Sequence, residues 1–304
     1  MKKYMKNGLL ALFIGLVFLS GCESKKDTIH IATKPMSEQF ILGEMLALLI
    51  EENSDLHVKI TKGVGGGTSN IHPAMIKGDF DLYPEYTGTG WLVILKKDTL
   101  LPPDQLFSEL QKEYSREYGL KWVAPYGFNN AYSLAVSNEM AKKYNLKTFS
   151  DLALYPDLFT FGAEYDFYEI NDGYADLCAY YNLKFKKNLD MDIGLKYEAM
   201  KSGKIDVINI FTTDGQLSHA NLTTLKDDKH FFPSYYCATI VREETLKEHP
   251  ELEGILEKMN GILTDQEMAD MNYKVDVEHR TEREVAVEFL KKKGLLNPQL
   301  SYGK

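Results

Sequence analysis

Cysteine is scarce in this chain, with three in 304 residues, and proline and tryptophan are thin as well, at ten and two. Three cysteines exclude a disulfide framework and any multi-zinc class, and ten prolines beside 22 glycines exclude collagen-like and low-complexity architectures. Positive charge is also short: 35 Lys and Arg stand against 44 Asp and Glu, a formal charge of -9. A chain of that sign carries no electrostatic footprint for nucleic acid or for an anionic membrane surface. Catalytic constellations are missing too. The seven histidines make no His-Glu-x-x-His pair, there is no Gly-x-Ser-x-Gly elbow, and no cysteine sits in a nucleophile context. The expectation is therefore a protein that is not an enzyme, with no catalytic residues, no metal and no cofactor. What the chain does have is 44% hydrophobic and 26% charged residues, enough for one large domain or two medium ones, and 19 tyrosines.

The first 21 residues read as a targeting signal rather than as part of the fold. Lys2, Lys3 and Lys6 precede an apolar run at residues 8–19, which is shorter than a membrane span. The run ends in Leu19-Ser20-Gly21-Cys22, which resembles the box at which bacterial lipoprotein signals are cut and the cysteine acylated. Cys22 is the expected lipidation site, and residues 22–27 are the expected tether. Loss of three lysines leaves 32 basic residues against 44 acidic ones, so the mature chain is more acidic still. No later stretch approaches 18 apolar residues, which makes the rest an expected extracytoplasmic body held to the membrane by lipid. Cys178 and Cys237 remain; their compartment permits a disulfide, and their spacing does not require one.

Strand and helix patterns alternate along that body. Residues 28–34 alternate like a strand, Ser37 is placed to cap a helix carrying Ile41, Met45, Leu48 and Leu49 on one face, and residues 57–64 return as a strand. That is a βαβ unit, hence a parallel sheet. A glycine run, Gly63 to Gly67, then delivers Thr68 or Ser69 as the cap of a short helix ending at Gly78, before a strand at 79–86. Helix 103–119 and strand-rich 121–136 follow. The second half repeats the alternation: a short helix capped by Ser150, a strand at 158–163, helices at 172–183 and 193–203, and a strand at 205–211. After a strand at 235–241 the pattern is helical, over 244–263, 264–273 and 281–296.

The glycine run is not a nucleotide fingerprint. The sixth position from Gly63 is Thr68 where a dinucleotide site needs Gly, and no Lys follows the last Gly as in a P-loop. It is either a tight turn or a turn whose free amides hold the anionic end of a ligand. Aromatic residues carry more information, because they recur beside strand ends: Tyr83 and Tyr86, then Tyr126, Phe128 and Tyr132, then Phe211, then Tyr235 and Tyr236. Open α/β sheets bind ligands beyond the carboxyl ends of their strands, so these rings together outline a cage.

Several runs carry a family resemblance: the Cys22 box, Ala32-Thr33-Lys34-Pro35, Gly65 to Asn70, Tyr83-Pro84-Glu85-Tyr86-Thr87-Gly88-Thr89, Tyr126 to Asn130, Asp172-Gly173-Tyr174 and Thr213-Asp214-Gly215. In this order they resemble the substrate-binding lipoproteins of ABC importers for glycine betaine, carnitine and choline, over residues 28–296. The resemblance implies an α/β type II periplasmic-binding-protein fold, with two lobes, a two-strand hinge and a cleft between. Residues 28–128 plus 233–304 would form lobe I and residues 129–232 lobe II. It implies a small-molecule quaternary ammonium solute as ligand, boxed by Tyr86, Tyr132, Phe211 and Tyr235, with Lys34 and Thr89 at the solute's other end, and a membrane permease as partner. A trimethylammonium group has no proton to donate, so ring faces and apolar walls must select it. Many family members carry Arg in a Glu-Arg-Pro-Asp-Gly run that pairs with a betaine carboxylate; here the run is Glu169-Ile170-Asn171-Asp172-Gly173, and Ile170 replaces it. Loss of that bidentate partner disfavours glycine betaine and leaves choline, carnitine or a bulkier betaine such as ergothioneine. A different small cation or amino acid in the same receptor is the second expectation, and a non-transport adhesin or assembly lipoprotein the third.

Overall fold

The computed structural model describes residues 27–97, 99, 101–169, 173–191, 193–299 and 301. The signal, Cys22, most of the tether and Ile170 lie outside the described residues. Among the described residues, ten strands form two five-stranded sheets. The first contains β1 (Thr28–Ala32), β2 (His57–Thr61), β3 (Leu82–Tyr86) and β4 (Leu120–Val123); the second contains β5 (Tyr132–Ser137), β6 (Thr160–Ala163), β7 (Lys187–Asp190), β8 (Val207–Phe211) and β9 (Leu222–Leu225); β10 (Cys237–Arg242) returns to the first. The orders are β2-β1-β3-β10-β4 and β7-β6-β8-β5-β9.

The two sheets share one plan. Three parallel strands, β2, β1 and β3 or β7, β6 and β8, are followed by one antiparallel strand and a fifth that pairs with it. In the first sheet the antiparallel strand is β10, which arrives from the other half, and in the second it is β5, which does the same. Buried apolar clusters lie on both faces of each sheet, so this is a two-lobed α/β molecule. The chain crosses between lobes after Val123 and again after Leu225, and the crossings are joined to each other. Asn129 bridges Tyr236, Asn130 N–H donates to the Tyr235 carbonyl at 3.1 Å, and Tyr126 N–H to that of Cys237 at 2.9 Å.

The expected βαβ start is present, with β1 and β2 parallel and in register from Thr28 opposite His57. Its helix, Ser37–Asn53, is buried continuously from Ile41 to Ile50 rather than along one stripe, because helices Glu251–Leu256, Asp265–Asp276 and Glu282–Lys292 cover its outer side. Three expected caps fall elsewhere. Ser37 is inside its helix and donates its hydroxyl to Asp276 at 2.5 Å, with Met36 as cap. Gly67 caps helix Thr68–Lys77, leaving the Thr68 hydroxyl for Glu85. Thr148, in a capping box with Asp151, starts helix Phe149–Leu152, while the Ser150 hydroxyl goes to Asp228. The expected helix at 244–263 is broken at His249 and Pro250 into Glu243–Glu248 and Glu251–Leu256, since proline lacks an N–H and disfavours helical backbone in the residue before it. Cys178 and Cys237 are unpaired. No helix among the described residues is long and apolar enough to cross a membrane.

Candidate functional site

The cleft edges of both sheets bring four rings together. Tyr86 is the last residue of β3, and Tyr235 lies two residues before Cys237, which pairs with Tyr86 in the ladder. On the other lobe Tyr132 opens β5 and Phe211 closes β8, and the two are cross-strand partners. Direct pairing makes their rings stack, with centroids 4.4 Å apart and planes at 30°. Phe167 and Phe232, at 5.2 and 5.7 Å from the Tyr132 ring, hold it from the lobe interior. Tyr86, Tyr132, Phe211 and Tyr235 line a cavity of about 240 Å³, and Asn130 from the first crossing completes it. Tyr86 is 5% exposed and Phe211 36%, so the box is closed on the Tyr86 side and open at Phe211.

Behind Tyr86 lies a polar cluster. Its hydroxyl donates to Glu38 at 2.5 Å, and the same carboxylate accepts from the side-chain amides of Asn130 at 3.0 Å and Asn272 at 3.2 Å. Burial pushes the Glu38 carboxyl above its ordinary range, against the pull of these bonds. The Tyr86 phenol is pushed well up by burial, reinforced by the Glu38 charge. Nothing in the sequence pattern singles out Glu38. Asn130 falls in the quoted Tyr126–Asn130 run but stands out only by geometry.

The two remaining expected residues line neither of the cavities found at the cleft. Lys34 is 8% exposed, and its ammonium is ion-paired to Glu85 and sits 4.7 Å from the Tyr86 ring centroid. Glu85 is fully buried and also accepts from the Tyr86 N–H at 2.7 Å and the Thr68 hydroxyl at 2.6 Å. The Lys34 charge is therefore met from within the protein. Thr89 begins a single π-helical turn, Thr89–Ile94, and is half-buried. The glycine run behaves as a tight turn: the amides of Gly67, Ser69 and Asn70 bond to carbonyls inside it, and Gly66 and Gly67 take φ of 75° and 52°.

A larger cavity, about 570 Å³, shares Tyr132 with the ring cavity and is walled by Trp91, Leu106, Lys226, Phe232 and Tyr236 among others. Both lobes contribute to it. Among the described residues no three His, Cys, Asp or Glu side chains assemble in a way that would hold a metal ion.

Comparison with known proteins agrees with this architecture. Residues 27–292 match the family model described as the substrate binding domain of ABC-type glycine betaine transport systems. The chain is 46% identical over 287 residues, 94% of its length, to the ergothioneine transport permease/ergothioneine binding protein EgtU of Helicobacter pylori, and it spans about half (51%) of that longer relative. It is 36% identical over 301 residues to the carnitine transport binding protein OpuCC of Listeria monocytogenes, covering 95% of this chain and 97% of the other. A crystal structure of a glycine betaine/carnitine/choline ABC transporter protein superposes with a TM-score of 0.84 at 32% identity, covering 88% of this chain and all of that one.

Proposed function

The chain belongs to the family of substrate-binding domains of ABC-type glycine betaine transport systems, and from that premise we propose that it captures a quaternary ammonium solute in the ring cavity and presents it to an ABC permease outside the cytoplasmic membrane. Tyr86, Tyr132, Phe211 and Tyr235 hold the methylated cation, and Cys22 carries the lipid that keeps the receptor at the membrane. One observation supports this reading above the rest: four rings from two separately folded sheets face a single cavity of about 240 Å³ with no lysine or arginine in its wall. Rings cannot satisfy an ammonium that needs hydrogen bonds, but they match a methyl shell that needs none.

We infer further that the solute is larger than glycine betaine. The adjoining cavity of about 570 Å³ gives room for a long or ring-bearing tail. The Lys34 charge is taken by Glu85, and Ile170 stands where the family run has Arg, so neither position offers a free cation to a short carboxylate, whereas Lys226 lies in the wall of the adjoining cavity, within reach of a longer solute. Carnitine and ergothioneine, the solutes named for two relatives, fit this description better than glycine betaine does; Lys34 and Thr89 are then reached only by the solute's far end as the lobes close.

A thermal-shift panel tests the proposal. A solute at a hundred times its Kd adds about 2.7 kcal/mol of apparent stability, which raises the melting temperature of a protein this size by roughly 5 °C. Carnitine, choline or ergothioneine should do so, glycine betaine less, and polyamines and amino acids not at all. Equal shifts from polyamines would point to a general cation receptor, and no shift from any compound would remove the receptor reading.

A further inference from the structure

The ring cavity has a carboxylate directly behind it. Glu38, in the first turn of helix Ser37–Asn53, is 4% exposed, and the partners it has among the described residues are all neutral: the side chains of Tyr86 and Thr213 and the amides of Asn130 and Asn272. A carboxylate withdrawn from water with no cation beside it is costly, and the pull of a helix N-terminus offsets that cost only in part. Its placement gives the reason. Tyr86 and Asn130 each bond to Glu38 and also line the ring cavity. A cation among the rings is therefore one side chain away from a buried negative charge, in a region where few water molecules screen it. The third partner reaches across the molecule: the Asn272 amide that contacts Glu38 also donates to the Thr213 carbonyl at 2.8 Å, two residues beyond Phe211.

Resting on the reading above, we propose that Glu38 is the counter-charge of the ring cavity, ionised when a quaternary ammonium occupies it, and that through Tyr86, Asn130 and Asn272 it ties occupancy to the seam between the lobes. The sign of the pH dependence follows. In the empty receptor burial holds the Glu38 carboxyl above its ordinary range. An arriving cation favours the ionised form, so binding releases a proton wherever the empty site still holds one, and affinity rises with pH through that range before levelling off. Other titratable groups nearby are the Lys34–Glu85 ion pair against Tyr86, the buried thiol of Cys237 pushed up by burial, Asp276 beside Ser37, and Asp265, raised by burial and bonded to the Asn129 N–H. None of these except Glu38 contacts a ring of the cavity through its own carboxylate.

The test is calorimetric titration of wild type, Glu38→Gln and Glu38→Asp with choline, carnitine and ergothioneine, from pH 5 to 8, in pairs of buffers with different ionisation enthalpies. Wild type should bind more tightly as pH rises and release a proton at the acid end. Glu38→Gln should bind at least tenfold more weakly at pH 7.5, with a flat profile and no proton release, and Glu38→Asp should restore the pH dependence. A Gln variant weakened equally at every pH, with proton release unchanged, would mean that Glu38 only positions Tyr86 or that Asp265 is the titrating group, and would overturn the inference. Should the Gln variant fail to fold, the wild type decides alone, since zero proton release at pH 5 is incompatible with a counter-charge. Wild type that binds none of the three solutes overturns the receptor reading itself, whereas binding without proton release overturns only the role of Glu38.

Discussion

At the scale of single residues the account rests on ring faces. Each desolvated ring contributes ~1 to 2 kcal/mol to a bound cation, so four supply on the order of 4 to 8 kcal/mol, near what a micromolar Kd requires before ordering costs. Removing one ring should therefore be felt in full. Tyr235→Ala is expected to weaken solute binding by about fivefold to thirtyfold by calorimetry, and unchanged affinity would make Tyr235 a packing residue. Lys34 leads to a different expectation. Its ammonium answers the fully buried Glu85, and deleting one member of a buried pair leaves an uncompensated charge worth about 3 to 5 kcal/mol. Lys34→Met should lower the melting temperature by several degrees even without solute, and the double variant Lys34→Met/Glu85→Gln should recover much of the loss; a single variant as stable as wild type would contradict the pairing. The rings were legible in the sequence because tyrosines beside strand ends keep their meaning wherever the strands go. Glu38 was not, because an acidic residue in the first turn of a helix ordinarily needs no explanation beyond the helix dipole.

Among elements, a tight constraint on the site lies where β3 ends. A Cβ added at Gly88 would stand 2.6 to 2.8 Å from three carbons of the Tyr235 ring, while its φ of -61° is open to any residue. Gly88→Ala should thus leave the backbone unstrained and displace the ring, weakening solute binding severalfold with a small change in melting temperature; unaltered binding would show that Tyr235 tolerates the shift. Gly215, from the Thr213-Asp214-Gly215 run, makes a similar approach across the lobes, since its added Cβ would meet the Tyr273 backbone nitrogen at 2.7 Å. Backbone cannot rotate away as a side chain can, so Gly215→Ala should force helix Gly215–His219 off helix Asp265–Asp276. The parallel strands other than β7, and the helices that follow them, were readable from period and length. The antiparallel places of β5 and β10 were not, because each is decided by a chain arriving from the other lobe, and the short β7 and β9 carry no apolar alternation to mark them. Caps were misplaced at Ser37 and Ser150 because another hydroxyl or an extended residue one or two positions earlier took the role.

For the molecule as a whole, two sheets of identical plan meet along paired crossing segments, and the rings project from both sides of that line. A solute that touches Tyr86 and Tyr235 on one lobe and Tyr132 and Phe211 on the other favours the arrangement in which all four are in contact, so its binding energy biases the lobes toward closure. Small-angle scattering should register a more compact particle with saturating solute, and identical profiles would detach capture from closure. The claim beneath all of this is that the four rings form one cation site. Its most direct test is calorimetry of the purified protein and of Tyr235→Ala with choline, carnitine and ergothioneine. At least one solute should bind with a Kd below roughly 100 μM, equivalent to about 5.5 kcal/mol, and lose at least about fivefold in the variant. No binding by any of the three, or binding indifferent to the missing ring, would contradict it.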